Sequence, residues 1–138
     1  MEGIQDRKML KLIEKENPNN NAYKLYRVNL IIQKQEEIIM KIFAEQETWE
    51  YLSKNLKNWT FEKGVIKREF EFKNFVEAFS FMTAIALEAE KLDHHPDWSN
   101  AYNKVRIALS THSANGITKM DLDLAGKIDI IYNKNGKL

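Results

Sequence analysis

Apolar and polar residues alternate along the chain with a period that changes several times, and each change of period marks a predicted element. Over residues 22–43 apolar side chains recur at roughly helical spacing, which favours a helix, although the stretch YRVNLII within it would also suit a strand. The following segment, EQETWEYLSKNLKNW, places Trp49, Leu52 and Leu56 on one face of a second helix. We therefore expect two consecutive helices after the turn-forming stretch NPNNN at 17–21.

Two later segments change to a period of two, which is typical of strands. In WTFEKGVIKREFEFK apolar and polar residues alternate on either side of Gly64, and this pattern predicts an antiparallel hairpin. In SNAYNKVRIALSTH the side chains of Val105, Ile107 and Leu109 point to one face while their neighbours point to the other. That segment predicts either one strand or a tight pair of strands.

The clearest helix lies over residues 74–92, NFVEAFSFMTAIALEAEKL, where Asn74 and Glu77 have the spacing of a capping box. Its apolar residues form two neighbouring stripes. One stripe consists of Phe75, Phe79, Met82, Ala86 and Ala89, and the other of Phe81, Ile85 and Leu92. We expect the first stripe to pack on the sheet. The width of the apolar surface also indicates a second partner, such as another subunit.

A last helix is predicted in ANGITKMDLDLAGKIDIIY. Thr118 is placed as its N-cap, Asp121 follows three residues later, and Ile117 and Leu122 have the spacing of a hydrophobic staple. The elements then follow in the order helix, hairpin, helix, one or two strands, helix. This order indicates an α+β domain whose antiparallel sheet is covered by helices on one face.

Length and composition limit the domain organisation and the classes of partner. A chain of 138 residues suffices for one domain and an appendage, which we place at 44–138 and 1–43, the latter flexible to about residue 21. The formal net charge of +1 is evenly spread, so we expect no direct nucleic-acid partner and no membrane attraction. The absence of cysteine excludes disulfides and thiolate chemistry. No apolar run has the length of a signal peptide or a membrane span, so we expect a cytoplasmic protein.

The chain has three histidines, and all of them lie at the predicted ends of elements. His94 and His95 follow the long helix, where Pro96 prevents its continuation, and His112 ends the segment VRIALSTH. Imidazole is the side chain that titrates closest to neutral pH, so a group of histidines suits proton transfer in either direction. If the strand end lies beside the helix end, the three rings would line one pocket around a small ligand.

Plainer and competing interpretations of these residues stay open at this point. A histidine at a helix end often interacts with the last carbonyl groups, and the position of Asp121 favours a capping role. A metal site that includes both His94 and His95 is disfavoured, because adjacent residues of an extended segment point to opposite faces. A nucleophilic Ser110 beside His112 is disfavoured because neighbours on a strand seldom meet as nucleophile and base.

Seven residues of this region have the spacing E-x3-H-H-P-x5-Y-x9-H-x8-D. They are Glu90, His94, His95, Pro96, Tyr102, His112 and Asp121. In this spacing, and in the stretches AEKLDHHPDW, YNKV and LSTH, the chain resembles the pterin-4a-carbinolamine dehydratases. The resemblance covers residues 44–138 and does not extend to residues 1–43.

The resemblance implies a fold, an assembly and an activity. The fold is a four-stranded antiparallel sheet covered on one face by three helices, in the order α-β-β-α-β-β-α, assembled as homodimers or homotetramers. The activity is the dehydration of 4a-hydroxytetrahydrobiopterin to quinonoid dihydropterin in tetrahydrobiopterin recycling, with no metal or organic cofactor. Carried over by position, the catalytic residues are His94, His95 and His112. The residues implied to contact the substrate are Glu90, Pro96, Thr111, Ser113, Ala114 and Asp121.

Two other functions stay open beside this one. The chain could be a non-catalytic pterin-binding or dimerisation module, because animal members of the family also resemble a dimerisation partner of a homeodomain transcription factor. It could instead act on another pterin, such as one of molybdenum cofactor metabolism. The apolar surface of the helix at 74–92 would suit assembly in either case.

Overall fold

The computed structural model describes residues 19–135, together with Lys8 and Lys11, and the chain divides into two compact units, Met1–Ile38 and Ile39–Leu138. The flexibility expected up to about residue 21 concerns residues that lie mostly outside the described ones. The helix predicted over residues 22–43 is present as α1, Asn21–Met40. The side chain of Asn20 accepts a hydrogen bond from the N–H of Ala22 at 2.9 Å and so caps its first turn.

The second unit contains three helices and four strands within the described residues. In chain order they are α2 (Glu45–Asn55), β1 (Thr60–Glu62), β2 (Val65–Glu71), α3 (Phe75–Lys91), β3 (Asp97–Ala101), β4 (Lys104–Leu109) and α4 (Lys119–Asn135), with a 3-10 turn at His112–Ala114 between the last two. The strands form one antiparallel sheet in the order β1-β2-β4-β3. The predicted α+β class and four-stranded antiparallel sheet are therefore confirmed. None of the described helices is long and apolar enough to span a bilayer.

Both hairpins of the sheet turn within two residues. Lys63 and Gly64 join β1 to β2 with φ angles of 50° and 76°, the backbone of a type I′ turn, which matches the twist of the strands. The segment predicted as one strand or two is a pair, β3 and β4, and Tyr102 turns between them with a φ of 53°. The side-chain amide of Asn100 donates to the carbonyls of Tyr102 and Lys104, which holds this second turn.

One face of the sheet and the three helices of this unit enclose a single core. The side chains that point into it from β2 and β4 are Ile66, Phe70, Val105, Ile107 and Leu109, each at most 1% exposed. Helices α2, α3 and α4 all add buried apolar side chains to the same cluster. The other face carries exposed charged residues such as Lys67, Glu69 and Arg106, so the alternation predicted for these strands is confirmed.

The stripe of α3 that faces the core is not the predicted one. Phe75 and Phe79 remain 47% and 56% exposed and pack against each other. The buried residues of α3 are Ala78, Phe81, Ile85 and Ala89, of which only Ala89 belongs to the predicted stripe. Phe81 packs between the rings of Phe70 and Phe72, with centroids 5.0 and 4.9 Å away. Both stripes are apolar enough to be buried, and the contact of Phe81 with Phe70 of β2 and with Phe72, the residue after that strand, decides which stripe is buried.

The capping predictions for α3 are confirmed in part. Asn74 accepts a hydrogen bond from the N–H of Glu77 at 2.9 Å, as the capping box predicts. The carboxylate of Glu77 accepts its bond from the N–H of Lys73, one residue earlier than expected. The side chains of Asn74 and Glu77 therefore each accept a backbone hydrogen bond at the start of the helix.

A carboxylate at the end of α3 connects this helix to α4. Glu88 accepts hydrogen bonds from Lys127 and Lys91, each at 2.8 Å, and these bonds lower its pKa to about 2, with Lys127 the larger cause. Because the pKa of Glu88 is lower in the folded chain, its stabilising effect is present above the ordinary value of 4.5 and is lost as the pH falls towards 2.

We predict that Glu88→Gln lowers the urea midpoint of unfolding at pH 7 and that the difference from the wild type shrinks as the pH falls from 4.5 towards 2. Glu71→Gln is the control, because Glu71 is 64% exposed and lies 3.9 Å from Lys104. Urea unfolding at several pH values measures both variants. A Glu88→Gln difference that is constant across this range would contradict the coupling.

Candidate active site

The end of helix α3 sets the backbone of the first of the paired histidines. The N–H of His94 donates to the carbonyl of Ala89, and the N–H of Asp93 donates to that of Glu90, both at 3.1 Å. Asp93 has a φ of 48°, so the chain leaves the helix through a Schellman motif with an aspartate in the left-handed position. Pro96 follows and prevents the helix from continuing. The sequence therefore holds His94 at a defined position after the last turn.

The imidazole of His94 is buried and bonded to a buried carboxylate. Its Nε2 lies 2.6 Å from Oδ1 of Asp121, with the two side chains 8% and 0% exposed. An ionised carboxylate only accepts hydrogen bonds, so Nε2 carries the hydrogen. In the neutral ring Nδ1 then carries the lone pair. The contact with Asp121 thus selects the tautomer and leaves Nδ1 as the nitrogen that can exchange a proton.

The second oxygen of Asp121 connects two further elements. Its Oδ2 accepts from the hydroxyl of Thr111 and from the N–H of Thr118, both at 2.8 Å. The two threonine hydroxyls lie 2.7 Å apart. Because the Thr111 hydrogen points to Asp121, the Thr118 hydroxyl donates to Thr111. We call His94, Thr111, Thr118 and Asp121 the Asp121 network.

This network modifies the capping interpretation of Asp121. The bond from the N–H of Thr118 is one half of a capping box, as predicted. The hydroxyl of Thr118 bonds Thr111 instead of completing the box. Asp121 therefore caps α4 with one oxygen and holds His94 with the other. Three donors on one carboxylate offset the large desolvation cost of burying it.

His95 has a different environment from that of His94. Its Nε2 lies 2.9 Å from Oε2 of Glu90, and the two side chains are 59% and 80% exposed. An exposed pair of this kind contributes about 0–1 kcal/mol, so the ring stays free to change its orientation. The structure thus joins His95 with Glu90, as it joins His94 with Asp121.

His112 lies on a short closed loop after β4. The backbones of Thr111 and Gly116 pair across the loop, with the N–H of Thr111 donating to Gly116 at 2.9 Å. Asn115 has a φ of 56° and closes the 3-10 turn. The side chains of His112 and Ser113 are exposed, and Ala114 on the same turn is half-buried.

The segment before α2 packs against this loop. The N–H of Phe43 donates to the carbonyl of Ile117 at 2.8 Å. A Cβ on Gly116 would lie 3.0 Å from Cγ2 of Ile42, so a glycine suits this close approach. The loop is therefore held both by its own Thr111–Gly116 pairing and by its contacts with Ile42 and Phe43.

The structure brings some of the predicted residues together and leaves others apart. His94, Thr111 and Asp121 share one network, and His112 follows Thr111 directly in the chain. Across residues 19–135, no hydrogen bond or ion pair joins this network to the Glu90–His95 pair or to the side chain of Ser113. Pro96 is half-buried after the paired histidines. The sequence indicated Thr118 only as a helix cap and did not indicate that its hydroxyl bonds Thr111. The burial of Thr118, which would have suggested such a partner, is visible only in the structure.

The arrangement suits proton transfer. It holds one buried imidazole with an assigned tautomer and two exposed imidazoles, each available to a small molecule. In the described part of the chain, no three side chains of His, Asp or Glu are grouped closely enough to hold a metal ion.

A depression of about 420 Å³ lies on the open face of the sheet, and its lining includes none of the histidines. Ala108 lies at its centre between Lys67 and Asp97 on the neighbouring strands. Arg106 and Glu69, which both line the depression, are joined by a hydrogen bond of 2.6 Å. Because no histidine lines it, this depression lacks the proton carriers that the histidines provide at the other site.

Comparison with known proteins assigns the chain to a family. The family model described as pterin 4 alpha carbinolamine dehydratase matches residues 41–131. A relative from Prochlorococcus marinus strain NATL2A, named for pterin-4-alpha-carbinolamine dehydratase, is 45% identical over 95 residues, which are 69% of this chain and 99% of the relative. A relative of the same name from Sinorhizobium fredii is 61% identical over 64 residues, 46% of this chain and 61% of the relative.

A solved structure shows a similar fold. The crystal structure of a transcriptional coactivator/pterin dehydratase from Brucella melitensis superposes with a TM-score of 0.63 at 45% identity. The superposition covers 66% of this chain and 98% of the other. The fold therefore agrees with the resemblance seen in the sequence.

We predict that Asp121→Asn lowers the free energy of unfolding by about 1–3 kcal/mol, because an amide offers one acceptor oxygen to three buried donors. Asp123→Asn is the matched control on the same helix, where the carboxylate is 42% exposed and pairs with Lys119. The control is expected to change stability by less than about 0.5 kcal/mol. Urea unfolding measures both, and equal effects would show that the network does not stabilise the fold.

Proposed function

Because this chain belongs to the pterin-4a-carbinolamine dehydratase family, we propose that it dehydrates 4a-hydroxytetrahydrobiopterin to quinonoid dihydropterin in tetrahydrobiopterin recycling. The observation that carries the proposal is the contact of Asp121 with His94, which leaves one imidazole nitrogen ready for proton exchange near the loop of His112. The proposed reaction class is that of a hydro-lyase.

The reaction requires two proton movements on one face of the pterin ring. The bond between C4a and its hydroxyl breaks, and the hydroxyl leaves as water after receiving a proton. The lone pair of N5 forms the new double bond to C4a, and the hydrogen on N5 is lost. One group must therefore give a proton and another must take one, and imidazoles do both near neutral pH.

We assign these two roles to His94 and His112. Asp121 orients the ring of His94 and stabilises the positive charge that develops on it during proton transfer. His112 lies on the loop closed by Thr111 and Gly116, and this pairing fixes the position of its backbone. A substrate placed between the two rings would have its C4a hydroxyl and its N5 within reach of different nitrogens.

The remaining predicted residues have binding roles in this proposal. His95 and Glu90 are exposed, so they can turn to meet the polar edge of the pterin. Pro96 shapes the corner beside them. The loop residues Thr111, Ser113 and Ala114 line the pterin site, Thr111 through its backbone because its hydroxyl already bonds Asp121.

A second role, in assembly, is favoured by the exposed face of α3. Phe75, Val76, Phe79 and Leu87 are 47–70% exposed on one side of that helix. We propose that this face joins subunits into a homodimer or homotetramer. The Brucella relative is named both as a transcriptional coactivator and as a pterin dehydratase, so a partner-binding role is the alternative function for this chain.

We predict that the wild-type protein accelerates the formation of quinonoid dihydropterin from 4a-hydroxytetrahydropterin generated in the assay, and that a chelator does not stop it. His94→Ala and His112→Ala are each expected to lower kcat by about 10²–10⁴, the contribution of a general acid or base. His95→Ala is expected to raise KM more than it lowers kcat. Stopped-flow absorbance measures all three variants.

Glu71→Gln is the control for these variants, because it lies on the exposed face of the sheet outside the proposed site. Circular dichroism verifies that each histidine variant is folded. An unchanged kcat for folded His94→Ala would remove its assigned role. Pterin binding without turnover in the wild type would favour the non-catalytic alternative.

We predict that Phe79→Glu reduces the assembly to a smaller species, because it places a charge in the centre of the exposed apolar face of α3. Ile130→Glu is the matched control, since Ile130 is 56% exposed on α4. Light scattering after size-exclusion chromatography measures the mass. An unchanged mass for Phe79→Glu would show that this face does not join subunits.

A further inference from the structure

Residues 41–44 connect the end of α1 to the start of α2, and we call them the connecting segment. Its last residue is fixed to α2. The carbonyl of Ala44 accepts hydrogen bonds from the N–H and the hydroxyl of Thr48, at 2.9 and 3.1 Å, and Thr48 is fully buried. The N–H of Ala44 donates to the carboxylate of Glu47 at 3.0 Å. The connecting segment is therefore anchored to a helix whose apolar face lies in the core.

The connecting segment is linked to His94 through a peptide group that is bonded at both of its ends. The carbonyl oxygen of Ile117 accepts from the N–H of Phe43 at 2.8 Å. The N–H of the same peptide group, that of Thr118, donates to Oδ2 of Asp121 at 2.8 Å. A peptide group is planar and rigid, so its oxygen and its N–H move together. Because Asp121 in turn bonds the ring of His94, one peptide group and one carboxylate connect the segment to that ring.

The same segment contacts the loop that carries His112. Ile42 lies against Gly116, whose backbone pairs with Thr111 across the base of this loop. A Cβ on Gly116 would lie 3.0 Å from Cγ2 of Ile42, closer than the roughly 3.5–4.0 Å at which carbon atoms ordinarily pack. This Cγ2 is bonded directly to Cβ of a β-branched side chain, which has few allowed rotamers, so it does not readily move away. The connecting segment therefore limits the position of the base of the loop.

We propose that the connecting segment sets the separation between the rings of His94 and His112. Ile42 and Gly116 are the positioning residues, because their contact fixes the loop against the segment. The inference rests on the proposed function, in which these two rings act on one substrate. Adjacent residues, Ile42 and Phe43, make the two contacts, so a shift at Ile42 alone moves one ring relative to the other.

The position of the loop matters because the ring of His112 has no anchor of its own. In the part of the chain that the structure describes, this ring makes no hydrogen bond or ion pair, whereas the ring of His94 is bonded to Asp121. Its reach is therefore set by its backbone and its own rotamers. When two groups act on one small molecule, a misplacement of about 1 Å can lower the rate about 10²-fold.

A single added methyl group tests the contact. Among the described glycines only Gly64 has a positive φ, so alanine fits the backbone of Gly116 and acts through its contact with Ile42. Gly116→Ala is expected to lower kcat about 10- to 100-fold and to change KM less, as measured by stopped-flow absorbance on the full chain. Gly126→Ala is the matched control, because nothing lies within 4 Å of a Cβ at that position on α4. It is expected to keep the wild-type kcat.

A second substitution separates positioning from a general loss of stability. Ile42→Ala removes the methyl group that the new Cβ meets, so the double variant Ile42→Ala/Gly116→Ala is expected to recover kcat to within about threefold of the wild type. Ile42→Ala alone keeps the hydrogen bond of Phe43 to Ile117, and its kcat is expected to stay within the same range. A double variant as slow as Gly116→Ala would show that the methyl acts elsewhere and would overturn the proposal.

The ring C–H signals of the three histidines in NMR spectra give a readout that does not depend on activity. Gly116→Ala is expected to shift the signals of His94 and His112 and to leave those of His95, whereas Gly126→Ala shifts none.

The two readouts distinguish the possible failures. A wild type without dehydratase activity would contradict the proposed function, and the NMR comparison would still decide whether the connecting segment positions the two rings. An active wild type whose Gly116→Ala variant matches Gly126→Ala in kcat and in ring signals would overturn the positioning role alone. Ring signals that shift while kcat stays unchanged would also overturn it, because the separation of the rings would then not limit the reaction.

Discussion

The buried carboxylate of Asp121 is the constraint on which the site region depends. It accepts hydrogen bonds from the ring of His94, the hydroxyl of Thr111 and the N–H of Thr118. These donors come from the end of α3, the end of β4 and the start of α4. Because an ionised carboxylate in the core is tolerated only when its oxygens are bonded, these three ends must meet whenever the chain folds. Stability and the orientation of His94 therefore share one set of contacts.

The two adjacent histidines lie in different environments, one that fixes the orientation of the ring and one that lets it change. His94 is buried, and Asp121 determines which of its nitrogens carries the hydrogen. His95 is exposed, and its bond to Glu90 contributes little to its orientation. The cause is the Schellman motif and Pro96, which end α3 so that one ring points into the core and the next into solvent. A proton-transfer group benefits from the first environment, and a group that adapts to substrate benefits from the second.

Two helices of this chain expose more apolar surface than an isolated chain needs. Phe75 and Phe79 on α3 lie within the stretch that the family model matches, whereas Leu25 and Val28 on α1 lie before it. The burial of such surfaces is the main favourable term in the association of subunits. The two surfaces belong to different parts of the chain, so they can act in assembly independently of each other.

The sequence by itself determined the elements and the motif that mark this protein. These features depend on residues only a few positions apart, so the sequence itself shows them. They are the periods of 3.6 and 2, turn residues such as Gly64 and caps such as Asn74. Only the tertiary structure decided which stripe of α3 is buried, and that Asp121 caps α4 and holds His94 as well. The first depends on the rings of Phe70 and Phe72, and the second on a contact between residues 27 positions apart. No local pattern encodes such distant contacts, because they exist only once the sheet and helices have packed together.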